Sequence, residues 1–390
     1  MLSPAHIPAR YFHDEAVFAR ERERIFRTTW QFFCFRSELR EDNDFVAQDV
    51  AGIPVVVQNM KGELHAFHNV CSHRNVPLQS AASGNRHLFC PYHGWVYGRS
   101  GEPIGIPHNA EFYPIEPAER PQLALRQFSL AVCGNLVFVA IAPTRPFAEQ
   151  MGQWLPLVEK MAHAMDDVHF SNDIHTTSNW KWIVHNAFDD IHAQFVHPRS
   201  SLDTTGYIGD RWDFHPFGTA AEDFPASYAR RHAQFTVSMD QPSIQGAEAL
   251  WTPFFPTRAF AFDEYVHLYL YPNLLITSVQ GFWYNVVRYT PVDAGHSITN
   301  YHLLPTRQAD GSSSTVQPEL LYRLAFSSLR IFQEDLGAVE VGQSVIHSVT
   351  RQAVFGRRED KILSFEKAYM HAMGESGTPV SSIPAGQATP

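Results

Sequence analysis

The 390-residue sequence predicts an α+β protein: a small all-β module inserted near the front of a larger domain with an antiparallel sheet and a long carboxyl-terminal helix. Three observations carry that reading. Short β-rich runs fill the stretch from Phe45 to Ala142, four further strand-like runs lie between Glu264 and Leu304, and a long helical pattern follows from Glu319 to His347. A hydrophobic fraction of 44% with 18% charged residues is that of a packed globular chain, and the length suits two domains.

The elements follow in order. Residues 14 to 26, DEAVFARERERIF, set Val17, Phe18, Ile25 and Phe26 among charges behind Asp14 as N-cap, which predicts a helix. In the β-rich stretch, runs such as Ile53 to Gln58 and Leu136 to Ile141 are punctuated by Gly, Asn and Pro, as in a small barrel or sandwich. Gly134-Asn135 divides Phe128 to Ala142 into two strands. Residues 147–165 and 180–197 read as helices, the second stopped by Pro198, because the residue before a proline avoids the helical region. Pro272-Asn273, Gly281 and Asp293-Ala294-Gly295 separate the four later strands into a meander. The expected domains are 1–44, a helical segment packing on the larger domain; 45–145, the β module; 146–373, the larger domain; and 374–390, a frayed tail rich in Gly, Ser and Pro.

Composition excludes several classes. With 30 Lys and Arg against 40 Asp and Glu, the net charge of −10 disfavours a large nucleic-acid surface, which needs clustered cations. No run of eighteen apolar residues predicts a membrane span. The amino end shows no apolar core with a cleavage pattern, so a cytoplasmic protein is expected. Four cysteines do not make a disulfide scaffold, whereas 21 histidines invite a search for metal spacing.

Two constellations emerge. Cys71-Ser72-His73 is followed, after sixteen intervening residues, by Cys90-Pro91-Tyr92-His93. Two cysteines and two histidines could bind one tetrahedral zinc. The alternation of Cys and His within each loop instead suits a diiron cluster in which one iron takes both thiolates and the other both imidazoles, the Rieske [2Fe–2S] arrangement. Pro77, Pro91, Gly94, Gly98 and Gly101 would let the loops close over it. The second constellation is Asp189, His192 and His197. On one continuous helix Asp189 and His192 would share a face, but His192 and His197 would stand about 140° apart, so both reach one metal only if the helix loosens or ends between them, an end that Pro198 offers. Two histidines and a distant carboxylate make the facial triad of non-heme Fe(II) oxygenases. Phe332 to Gln343 offers Glu334 and Asp335; Asp335 shares a helical stripe with Phe332 and Val339, Glu334 one with Ile331 and Val341, so spacing does not choose.

The two constellations in this order, with ERIFRTTW (23–30), LHAFHNVCSH (64–73), CPYHGW (90–95), Asn179-Trp180-Lys181 and 332–343, resemble the large (α) subunits of Rieske non-heme iron oxygenases, the ring-hydroxylating family. The resemblance implies a helix-grip-like catalytic domain. It implies that Cys71 and Cys90 hold one cluster iron, His73 and His93 the other, and that His192, His197 and Asp335 hold a mononuclear Fe(II). Asp189 would bridge His192 to a cluster histidine of a neighbouring subunit, and Asn186, one turn earlier, would hydrogen-bond behind the ligands. A head-to-tail ring is then expected, a homotrimer with or without a β subunit. Two departures stand out: Asn75 where glycine is usual, so the loop backbone there is expected to differ, and His185 where an acidic residue is common. Cys34 and Cys133 fit no motif and read as buried thiols.

The implied reaction consumes O₂ and two electrons from NAD(P)H. No G-x-G-x-x-G follows a strand, so a flavin- or ferredoxin-type reductase partner is implied. Phe188, Phe195, Phe254, Phe255, Tyr269, Phe282 and Trp283 are candidate walls for a small organic substrate. Such walls stack on a planar ring, which favours aromatic hydroxylation, mono- or di-oxygenation. They would also hold a quaternary ammonium, which favours oxidative N- or O-demethylation. A Rieske electron carrier or zinc-bearing interaction protein without catalysis is the reading of another class; the second metal motif counts against it.

Overall fold

The computed structural model describes residues 7–189, 191–197, 213–216, 227–232, 249, 251–261, 264–279, 281–351, 353–355 and 359–375. Asp190, Pro198 and the tail from 376 lie outside the described residues. The chain divides into two compact units, Arg22–Val168 and Met1–Glu21 with His169–Pro390. Among the described residues no helix is long and apolar enough to cross a membrane. Helix α1 (Glu15–Glu21) begins as expected, with Asp14 Oδ1 accepting from the Ala16 amide at 2.8 Å, but is shorter than read, giving way to a π-turn over Arg22–Phe26.

In the smaller unit, β1 (Gln31–Phe35) is followed by β2 (Asp44–Val50), β3 (Ile53–Met60), β4 (Glu63–His68), β5 (Ser83–Asn85), β6 (Val96–Tyr97), β7 (Pro103–Gly105), α2 (Asn109–Phe112), β8 (Ser129–Cys133) and β9 (Leu136–Ala140). They form sheets ordered β4-β3-β2-β5, β1-β9-β8 and β6-β7. The apolar run of β3 has both faces covered: Val55 and Val57 enter one core with Phe33, Val137 and Val139, while Val56 enters the other with Phe67, Cys71, Cys90 and Trp95. This unit exceeds the expected 45–145. Pairing of β1 with β9 draws in the chain before residue 45. The turn at Asn135 donates to the Ala162 and Asp166 carbonyls, which draws in α3 (Phe147–Met151) and α4 (Leu155–Ala164). Only residues 1–21 of the expected 1–44 segment group with the larger unit.

The larger unit carries β10 (Phe170–Thr176), α5 (Trp180–Phe188), α6 (Ala193–Val196), β11 (Asp213–Pro216), β12 (Ser227–His232), β13 (Glu264–Leu270), β14 (Leu274–Val279), β15 (Trp283–Pro291), β16 (Ser297–Pro305), α7 (Pro318–Val345) and α8 (Asp360–Ala372). Its antiparallel sheet has the order β10-β16-β15-β14-β13-β12-β11 among the described residues. The four expected strands, β13 to β16, are its centre. The polar edge strand β10, FSNDIHT, gives little apolar alternation, which is why spacing missed it. The helix expected over 180–197 is two helices, α5 and α6.

One buried carboxylate ties three helices of this unit. Glu21 at the end of α1 accepts from Lys181 Nζ at 2.5 Å, from Trp180 Nε1 at 2.9 Å and from the Tyr369 hydroxyl of α8. Glu21 and Lys181 are both fully buried, and the ammonium lies 5.2–5.4 Å from the ring centroids of Phe12, Trp180 and Tyr369. Burial pushes the lysine's pKa down from its ordinary value, with Glu21 opposing. Breaking a buried pair by removing one partner leaves an uncompensated charge. Glu21→Ala is therefore expected to destabilise this unit by about 3–5 kcal/mol, read as a lower denaturant midpoint. A midpoint equal to the parent's would show that the pair does not hold the helices.

Candidate metal centres

The two Cys/His loops of the smaller unit are built alike. In each, the cysteine amide donates to the carbonyl five residues on, Cys71 to Val76 at 2.9 Å and Cys90 to Trp95 at 2.8 Å. The residue four on donates back to the cysteine carbonyl, Asn75 at 3.0 Å and Gly94 at 2.9 Å. Both of those residues take a left-handed backbone, φ +57° and +73°. Asparagine tolerates that conformation, and Asn75 turns the chain as Gly94 does in the other loop. Both thiols are buried. The His73 and His93 rings meet edge to face at 4.6 Å, and His73 stacks on Trp95 at 5.0 Å. The Nδ1 atoms of both histidines are buried without a hydrogen-bond partner. Two thiols and two orphaned imidazole nitrogens on facing loops fit a cluster with sulfur ligands on one iron and nitrogen ligands on the other. The Tyr97 hydroxyl, which sequence reading did not single out, lies 3.0 Å from Cys71 Sγ and accepts from the Ser72 amide at 3.1 Å.

The second site lies in the larger unit, where α5 stops short. Asn179 caps its start, accepting from the Lys181 amide at 3.0 Å. At Asp189 the backbone turns extended, φ −84° and ψ 128°. Asp189 Oδ1 accepts from the Ile191 amide at 2.7 Å, and the His192 carbonyl accepts from the Phe195 and Val196 amides at 2.8 and 2.9 Å, starting α6. His192 and His197 thus flank a four-residue helix instead of sharing a long one. That resolves the 140° difficulty by a break at Asp189; Pro198, the expected stop, lies outside the described residues. On α7, Glu340 Oε1 accepts from the Thr177 amide at 2.8 Å and Gln343 Oε1 from the Asn179 amide at 3.1 Å. These bonds set the register that brings Asp335 to the two histidines.

The Nε2 atoms of His192 and His197 approach Asp335 Oδ1 at 3.1 and 2.8 Å, and the three ligand atoms lie within 4.8 Å of one another. Yet Oδ1 has no hydrogen-bond partner: the three groups converge on a point, as a metal site requires. Behind the rings, His192 Nδ1 faces Asp189 Oδ2 at 3.4 Å, and His197 Nδ1 bonds Glu334 Oε2 at 2.9 Å. Burial pushes the His192 imidazole down, but Asp189 and Asp335 outweigh it and carry it up to about 9. Burial likewise opposes charge on Asp335, but His192, His197 and the Asn186 amide hold its carboxyl below the ordinary range. The surroundings favour a cation.

Sequence spacing left Glu334 and Asp335 as alternatives; the structure brings both to His197, Asp335 at Nε2 and Glu334 at Nδ1. His185 is buried, its Nε2 3.7 Å from Glu366 Oε1, so a carboxylate comes from α8. The aromatic candidates form two buried groups. Phe188 meets Tyr269 edge to face at 4.8 Å, while Phe255 stacks on Phe282 at 5.0 Å and lies 5.4 Å from Trp283. Phe195 and Phe254 are exposed, 73% and 55%.

Residues 29–128 match the Rieske [2Fe-2S] domain, and residues 165–375 match the ring hydroxylating alpha subunit (catalytic domain). The chain is 27% identical over 267 residues to choline monooxygenase, chloroplastic, of Beta vulgaris, covering 66% of this chain and 56% of that protein. It is 30% identical over 195 residues to the anthranilate 1,2-dioxygenase large subunit of Acinetobacter baylyi, covering 48% of this chain and 41% of that protein. The chain spans about half the length of the curated relatives it matches. In fold it is similar to the quaternary ammonium Rieske monooxygenase CntA, with a TM-score of 0.74 at 18% identity, covering 95% of this chain and 97% of that one. With the catalytic-domain match extending over more than half of its length, the chain belongs to the ring hydroxylating alpha subunit family, with a Rieske [2Fe-2S] domain preceding the catalytic domain.

Proposed function

We propose that this chain is the terminal oxygenase component of a Rieske non-heme iron system that hydroxylates an aromatic substrate, using O₂ and electrons relayed from NAD(P)H by a separate flavin- or ferredoxin-type reductase. The observation that carries the reading is the convergence of His192, His197 and Asp335 on one point from two segments of the larger unit. Cys71 and Cys90 would hold one cluster iron, His73 and His93 the other, and the triad a mononuclear iron. Iron at the triad would supply O₂ activation, since three protein ligands on one face leave positions open.

The chain's own residues have separable tasks in this reading. Asp335 supplies the anionic ligand, and its Asn186 contact orients the carboxylate. Asp189 orients His192 through Nδ1, leaving Nε2 for the metal. We propose that Asp189 also reaches a cluster histidine of a neighbouring subunit, which requires a closed ring such as a homotrimer; a β subunit is compatible with it. A cytoplasmic setting belongs to the same proposal, because thiolate ligands persist where cysteines stay reduced. Phe188, Phe195, Phe282 and Trp283 are the proposed substrate contacts.

A second reading, oxidation of a quaternary ammonium substrate, is favoured by the choline monooxygenase match and the CntA likeness. Oxygen uptake with reductase and NADH, measured across aromatic carboxylates and quaternary ammonium compounds, separates the two. Product formed only from the second group overturns aromatic hydroxylation, and uptake stimulated by neither overturns the oxygenase reading.

The metal sites are expected to separate by mutation. The parent should hold roughly three irons per chain, two of them in the cluster. His192→Ala or His197→Ala should lose the third while the visible cluster spectrum persists, and His73→Ala should lose that spectrum. Zinc in a colourless protein would sink this assignment. Asp189→Ala should retain both metals yet lose turnover by more than the 10–100-fold typical of groups behind a ligand. In rapid mixing, its cluster should be reduced promptly and reoxidised slowly. Asp190→Ala is the control. Reoxidation of Asp189→Ala at the parent rate would remove the bridging role.

A further inference from the structure

We infer that Glu334 is a positioning residue for the mononuclear metal site, fixing the tautomer and orientation of His197; the inference rests on the iron reading of the His192, His197 and Asp335 cluster. Helix α7 meets the His197 ring at both nitrogens through consecutive residues. Asp335 Oδ1 stands 2.8 Å from Nε2, and Glu334 Oε2 stands 2.9 Å from Nδ1. The longer glutamate reaches behind the ring and the shorter aspartate stops in front of it. An ionised carboxylate can only accept, so Nδ1 carries the proton toward Glu334, and a metal bound beside Asp335 would be met by the Nε2 lone pair.

The geometry resists the opposite tautomer. His197 is buried, 4% exposed, and Glu334 has its other oxygen, Oε1, 3.8 Å from Arg330 Nε one helical turn earlier. That contact leaves Oε2 for the imidazole. A carboxylate behind a ligating histidine orients the ring and raises its basicity. Each histidine of the cluster then has such a partner, Asp189 from the chain segment that precedes His192 and Glu334 from α7. The two partners differ in one respect: the His197 contact at 2.9 Å is a formed hydrogen bond, whereas that of His192 is longer at 3.4 Å.

The test is metal affinity, which can be read without turnover. The full chain with its cluster in place is stripped of mononuclear metal with a chelator and titrated with Co(II), whose visible bands report ligand geometry. Glu334→Ala is expected to bind Co(II) 10–100-fold more weakly than the parent, with shifted bands. Glu334→Gln should fall between, because its amide oxygen still accepts from Nδ1–H but carries no charge. A role in helix stability alone would lower the thermal midpoint and leave Co(II) affinity and bands unchanged, which overturns the proposal. If Glu334→Ala loses the cluster spectrum through misfolding, the isosteric Gln variant is read in its place, and parent-like affinity and bands there overturn the proposal equally. Should Asp335→Ala keep its Co(II) while Glu334→Ala loses all of it, Glu334 is a ligand and the positioning role falls. If His197→Ala binds Co(II) as the parent does, the iron reading itself fails, a result distinct from parent-like binding by the Glu334 variants alone.

Discussion

Glu21 is the constraint on which the catalytic unit turns. Its carboxylate is fully buried and shared by Lys181, Trp180 and Tyr369, so the ends of α1 and α8 and the start of α5 are held to one point. A buried ion pair is a poor source of net stability, because desolvation offsets most of the Coulombic gain. Its value here is geometric. Each oxygen of Glu21 has its own donors, and any slide of α5 along its axis would strand a charge in an apolar interior lined by Phe12 and Tyr369. The start of α5 is thereby fixed, and everything downstream inherits that register.

The convergence of His192, His197 and Asp335 is one such inheritance. From Lys181 the chain runs two turns to Phe188 and leaves the helix at Asp189, whose carboxylate both caps the next turn and faces His192. Meanwhile Glu340 and Gln343 anchor α7 to the residues just before α5. The same short stretch therefore fixes where the histidines emerge and where Asp335 stands. Three groups from two segments reach one point because both segments are measured from a common origin. A one-residue slip of α7 would rotate Asp335 away by about 100°.

The two Cys/His loops solve a different problem, that of holding Cys71, His73, Cys90 and His93 on irregular backbone. Paired amide-to-carbonyl bonds close each loop, and a left-handed residue at the same place in both turns the chain back. Leu78, Leu88, Trp95 and Tyr97 are buried in one cluster with both cysteines. Asn75 shows why residue identity alone misleads at such positions. Glycine reaches a left-handed backbone most readily because it has no Cβ, yet Asn75 takes the same conformation as Gly94.

The sequence by itself determined the fold class, the four central strands, the long α7, the two candidate sets of metal ligands and the absence of a long apolar span. These are signalled by local periodicity, by turn residues and by short spacings, which survive without knowledge of neighbours. Spacing alone left Asp335 and Glu334 unresolved, and only the resemblance favoured Asp335. The tertiary structure decided what depends on contacts far apart in sequence. The break at Asp189, the flanking of α6 by His192 and His197, and the two carboxylates on opposite nitrogens of His197 are of this kind. So are the edge strand β10 and the extension of the smaller unit to Arg22 and Val168. A helix pattern of period 3.6 continues through residue 189, because periodicity records which side chains are apolar and not where a backbone carbonyl finds its partner. Only the packed chain, with Glu21 anchoring one end of α5 and Asp189 capping the turn beyond the other, settles where that helix stops.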